Sequence, residues 1–220
     1  MVELDFAIEQ ASVATHSASP MLLFALAVTN KTCGTRVENV QLRCQIRIEP
    51  AQRRYDGPEQ DRLIELFGAP ARWGETLRSL LWTHVNASVP AFDGTCRIEL
   101  PVPCSYDFNL AATKYFHGLG DGEAPLSFLF NGSIFYRDED DRLQIEQVAW
   151  SKEATYRLPA RLWHDLMRDY YADGLWLRLG HDVFERLYRF KRSRGLPSWD
   201  QALTELLDAP GGGETAGRSP

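Results

Sequence analysis

Over the first 150 residues, apolar and polar positions alternate with the period of a strand. Val2, Leu4, Phe6 and Ile8 fall on one face and Glu3, Asp5 and Glu9 on the other, so one side is dry and the other wet. Leu22, Phe24, Leu26 and Val28 alternate with smaller residues, the pattern of a strand covered on both faces. The sharpest alternation is V-Q-L-R-C-Q-I-R-I-E, where Val40, Leu42, Cys44, Ile46 and Ile48 oppose Gln41, Arg43, Gln45, Arg47 and Glu49. Leu81, Thr83, Val85, Ala87 and Val89 share the next face, and Cys96, Ile98, Leu100, Val102 and Cys104 the one after. In L-S-F-L-F-N-G-S-I-F-Y, Asn131-Gly132 suits the two positive φ angles of a type I′ turn, which predicts a β-hairpin. D-E-D-D at 138–141 is a further turn, and a parity slip near Glu146-Gln147 predicts a bulge.

The strands are interrupted once and then give way to a helical period. At 56–68, Asp56, Pro58 and Glu59 make a helix start, Leu63, Ile64, Leu66 and Phe67 an apolar face, and Gly68 with Pro70 a stop. After Trp150, Leu162, Trp163, Leu166, Met167 and Tyr170 form one stripe behind Pro159. A second helix is expected from Val183 to about Arg194, with Asp182 as cap and Glu185 reaching back, and a third from a box-like S-W-D-Q at Ser198. From Pro210 onward P-G-G-G-E-T-A-G-R-S-P has nothing to bury and is expected to be disordered.

These elements predict an α+β fold. An antiparallel β-sandwich of seven or eight strands with one inserted short helix spans 1–157, helices packed on it span 158–208, and the tail is 209–220. The chain of 220 residues is 44% hydrophobic and 25% charged, enough for a sizeable core. Its net charge of −6 disfavours broad binding to nucleic acid or anionic membrane. No apolar run reaches the ~20 residues of a membrane helix, so no membrane insertion is expected. The N-terminus is acidic and alternating where a secretory signal is basic and then apolar, which points to the cytoplasm. Cys33, Cys44, Cys96 and Cys104 include no C-x-x-C pair and are read as reduced thiols.

Candidate chemistry is sparse. Trp163–Asp182 contains His164-Asp165 and His181-Asp182, but the apolar stripe turns His164, Asp165, Arg168 and Asp169 to the wet side. The three cysteines that share parity with aliphatic residues read as core, and Cys33 sits in a loop with nothing near it to lower its pKa. The acidic run 138–141 lacks the spacing and glycine of a calcium loop. No catalytic residue, metal ligand or cofactor is assigned. Two clusters remain as binding candidates. The segment K-Y-F-H-G-L-G-D-G-E, 114–123, is expected to be a loop presenting Lys114, Tyr115 and His117. The run R-L-Y-R-F-K-R-S-R, 186–194, carries Arg186 and Arg189 on one face, outside an apolar arc of Val183, Phe184, Leu187, Tyr188 and Phe190 that takes in Lys191.

Three stretches carry a resemblance: A-T-K-Y-F at 112–116, P-L-S-F-L-F-N-G-S-I-F-Y at 125–136, and R-L-Y-R-F-K-R-S-R-G-L-P-S-W-D-Q-A-L at 186–203. Through them nearly the whole chain resembles a bacterial domain family of unknown function, whose members tend to be encoded near nickel–iron uptake hydrogenase genes. The resemblance implies an accessory role in hydrogenase assembly or maturation, with a hydrogenase subunit or maturation factor as protein partner. It implies no catalytic residues. The reading is therefore a non-enzymatic interaction protein. The alternatives are a small-molecule or glycan-binding sandwich, and an enzyme using His117 with Asp121 or Glu123 as acid and base.

Overall fold

The computed structural model describes residues 2–107, 110–172 and 178–209, so the tail expected beyond Pro210 lies outside the described residues. The chain divides into two compact units, Met1–Leu175 and Trp176–Pro220.

The first unit holds eight strands among its described residues: β1 (Leu4–Val13), β2 (Met21–Asn30), β3 (Val37–Ile48), β4 (Leu80–Val89), β5 (Thr95–Pro103), β6 (Glu123–Arg137), β7 (Leu143–Gln147) and β8 (Glu153–Pro159). They form two antiparallel sheets. One has the order β1-β2-β5, and the other runs β4-β3-β6 with β7 and β8 both on the far side of β6. The sheets meet through aromatic rings: Phe6 stacks on Phe130 at 4.5 Å, and Phe24 meets Phe128 at 5.2 Å and Tyr156 at 5.9 Å. Alternation explains the geometry, because Val40, Leu42, Cys44, Ile46 and Ile48 are all buried while Gln41 and Arg43 are exposed.

In three places tertiary structure departs from the local pattern. Asn131-Gly132 makes no hairpin; β6 runs straight through it for 15 residues, paired with β3 from Ile48↔Leu126 to Val37↔Tyr136. Gly132 adopts φ +149°, and a Cβ there would lie 2.0 Å from the Gln41 carbonyl oxygen. The glycine serves close backbone approach rather than a turn. The slip near Glu146-Gln147 is a break: β7 ends at Gln147 and pairing resumes at Glu153. The intervening turn is tied to β6 at Val148 N to Gly132 O and Phe130 N to Lys152 O. In β4 the register shifts opposite Ile46/Arg47, which leaves Leu81 exposed and brings Trp82 against Phe24.

The helices of this unit are α1 (Gly57–Phe67), α2 (Trp73–Thr76), α3 (Ala111–Gly118) and α4 (Ala160–Tyr170). The capping box on α1 forms as its sequence dictates: Glu59 N donates to Asp56 Oδ1 at 2.8 Å, and the Glu59 carboxylate accepts back from Asp56 N. α4 buries Trp163, Leu166 and Met167.

The second unit contains α5 (His181–Ser193) and α6 (Trp199–Asp208). Ser198 caps α6 by accepting from Gln201 N at 3.1 Å. The cap of α5 is Gly180 and not Asp182, which lies inside the first turn. There its charge still favours the positive end of the helix dipole. Among the described residues no helix is long and apolar enough to cross a membrane.

Replacing Gly132 by Ala is expected to destabilise the protein by about 2 kcal/mol or more, since neither the positive φ nor the contact with Gln41 can relax without moving β3. Urea unfolding of the variant against the parent measures it.

Candidate functional site

The first half of the segment expected as a loop at 114–123 is helix. Lys114, Tyr115 and His117 lie on α3, and only 119–122 form the turn into β6. Their side chains diverge. Lys114 pairs with Glu65 on α1. Tyr115 is fully buried, and its hydroxyl lies 3.0 Å from that of Tyr55, which donates to the Pro50 carbonyl at 2.8 Å. Burial raises the pKa of both phenols, so they act as neutral structural hydrogen-bonding groups. His117 places Nδ1 3.2 Å from the Tyr106 hydroxyl. Partial burial, then His164 and Arg62, lowers its pKa. Asp121 turns its carboxylate onto the Gly122 amide at 2.8 Å. Burial, the largest of the causes acting on His117, favours the neutral imidazole.

On α4, Arg168 pairs with Asp165, and Asp169 is exposed. His164 is half-buried and donates from Nε2 to the Phe116 carbonyl at 2.9 Å, which ties α4 to the end of α3. Among the described residues no three His, Cys, Asp or Glu side chains gather closely enough to hold a metal.

Sequence reasoning missed an ion pair of Arg53 with Glu59, whose side chains are 10% and 4% exposed. Arg53 Nη2 donates to both Glu59 oxygens at 2.8 and 2.9 Å. Gly120 N adds a bond at 2.9 Å, so one carboxylate joins α1 to the turn before β6. The guanidinium lies 4.9 Å above the Tyr55 ring. Arg53 Nη1 is buried without an acceptor among the described residues, a deficit of about 1–3 kcal/mol for a buried donor. The available signal was Arg53-Arg54 directly before the capping box; Glu59 was legible only as part of that box.

On α5, Arg186 and Arg189 are exposed, as the helical wheel predicts, and Arg189 Nε reaches the Glu185 carbonyl at 3.3 Å. Lys191 is half-buried, with its ammonium 5.5 Å from the Trp199 ring centre. Phe184, Tyr188 and Trp199 cluster at ring separations of 5.5 to 6.2 Å, yet remain 41%, 40% and 39% exposed. Ala202 is the one buried side chain among the described residues of this unit.

A family model described as a family of unknown function, DUF6084, matches residues 1–215, and the chain belongs to that family. No curated protein and no solved structure matches the chain.

Two outcomes follow from this geometry. All four thiols are free, and burial pushes those of Cys44 and Cys104 up to about 12. Thiol labelling of the folded protein at pH 8 should modify exposed Cys33 first, half-buried Cys96 more slowly, and Cys44 and Cys104 only on unfolding. His117 is held below its ordinary 6.5 when folded. The unfolded chain then binds the proton more readily, so its contribution is complete above that value and falls away as pH drops through it. Melting curves between pH 7 and pH 5 should be flatter for His117→Gln than for the parent.

Proposed function

We propose that this member of a family of unknown function is a non-enzymatic accessory protein that binds a protein partner through the helical pair α5–α6. One observation carries the reading: Phe184, Tyr188 and Trp199 pack on one another but remain accessible, on a unit that buries a single side chain among its described residues. Two packed helices with so little interior gain little stability from their own core. Exposed aromatic side chains beside arginine are the composition that carries most binding energy at protein interfaces. Arg192 lies 5.8 Å from the Tyr188 ring centre, and Arg186 and Arg189 extend the positive surface.

This chemistry selects a partner that presents an apolar patch bordered by acidic side chains. Long-range attraction to the arginines speeds encounter, and the rings supply the buried contact. The overall charge of −6 weighs against nucleic acid. A hydrogenase subunit or maturation factor, the partner class implied by the resemblance, is the first to be tried.

Changing Arg186 and Arg189 together to Glu should leave stability within about 1 kcal/mol, as at other surface positions, while weakening partner capture. Trp199→Ser should abolish capture. Lys191→Glu should lower the melting temperature, because it removes the cation above Trp199. Affinity capture from the native host identifies the partner, and titration of the purified pair measures it. Unchanged binding by both the arginine and tryptophan variants would refute the reading.

A further inference from the structure

At the opposite end of the chain's chemistry, in the strand unit, Arg53, Arg54 and Arg157 line one cavity of about 720 Å³ together with Gln52, Gly122 and Glu123. The chain as a whole has 30 acidic residues against 24 basic ones, so three arginines facing one acid is a local inversion of its charge. The three are not equivalent. Arg53 is fixed and neutralised by Glu59, with Nη1 left over. Arg54 and Arg157 are exposed and meet no carboxylate among the described residues. They project from different elements, the segment after β3 and strand β8, so the sheet register that pairs Arg157 with Pro125 brings them together.

We propose that this cavity is a binding site for a small phosphate-bearing molecule. The guanidinium forks of Arg54 and Arg157 supply two free positive charges in the planar geometry that phosphate oxygens accept. Arg53, held by Glu59, forms the rigid wall behind them. The hollow is open to solvent on one side, so an organic group attached to the phosphate has room beside it. Glu123 is the opposing charge that weakens the hold on any anion. This site is separate from the helical pair and stands or falls independently of it.

Pyrophosphate, which carries the phosphate chemistry without an organic group, is the probe. The full chain is titrated calorimetrically at constant ionic strength, with citrate as the carboxylate control. Saturable one-to-one binding of pyrophosphate, tighter than citrate, is expected. Arg54→Gln with Arg157→Gln should weaken it at least about tenfold, through loss of the charge-assisted bonds, and leave the melting temperature of the unliganded protein unchanged. Glu123→Gln should tighten it about threefold by removing the opposing charge. Should the double variant fail to fold, Arg157→Gln alone and Glu123→Gln provide the same contrast. Absent saturable binding, equal affinity in the arginine variants, or tighter binding of citrate would each overturn the proposal.

Discussion

The close approach of the β3 and β6 backbones at Gly132 is the constraint on which the strand unit depends. A 15-residue strand must present one edge to β3 from Leu126 to Tyr136 and the other edge to β7 and β8. At the handover between β7 and β8, the outer partner leaves the ladder. There the Gly132 carbonyl accepts from Val148 N, while a Cβ on Gly132 would run into the Gln41 carbonyl. A side chain would push the inner ladder apart at this point. The stacked Phe6–Phe130 pair and the Phe24–Phe128 contact lie on neighbouring residues, so the packing between the sheets follows from the same register.

The Arg53–Glu59 pair does for the helices what Gly132 does for the sheet. Glu59 is at once the third residue of a capping box, the partner of a buried guanidinium and the acceptor for the Gly120 amide. Removing two charges from water is costly, and a buried pair is retained only where further hydrogen bonds satisfy it. Here they do so for the carboxylate, and incompletely for the guanidinium, whose Nη1 remains unsatisfied. The imbalance sits beside two arginines without carboxylate partners among the described residues. Local deficits of this kind are where a structural ion pair and a ligand site meet.

The two candidate surfaces belong to separate units and use opposite physics. The helical pair offers ring surface that water wets poorly, with cations at its border. The cavity offers the cations themselves. Neither relies on a reactive group, and His117, Tyr115 and Lys114 are engaged with Tyr106, Tyr55 and Glu65.

By itself the sequence determined what is local or periodic. The alternation in β1, β3 and β5 set which side chains are buried, the Asp56–Glu59 box and Ser198 set two helix starts, and the wheel of α5 placed Arg186 and Arg189 outward and Lys191 against an apolar surface. Each of these is decided within a few residues, by side-chain direction or by a cap bonding its own helix. Tertiary structure decided the rest. Asn131-Gly132 carries the strongest hairpin signal in the chain, yet β3 offers a continuous ladder on one side and the β7–β8 turn two bonds on the other. That outweighs the local preference for a turn. Lys114 and Tyr115 read as part of a polar loop because their partners, Glu65 on α1 and Tyr55 before it, lie 49 and 60 positions away in sequence. The arginine cavity was illegible for the same reason. Arg54 and Arg157 are about a hundred positions apart, and only the pairing of β6 with β8 brings them to one place.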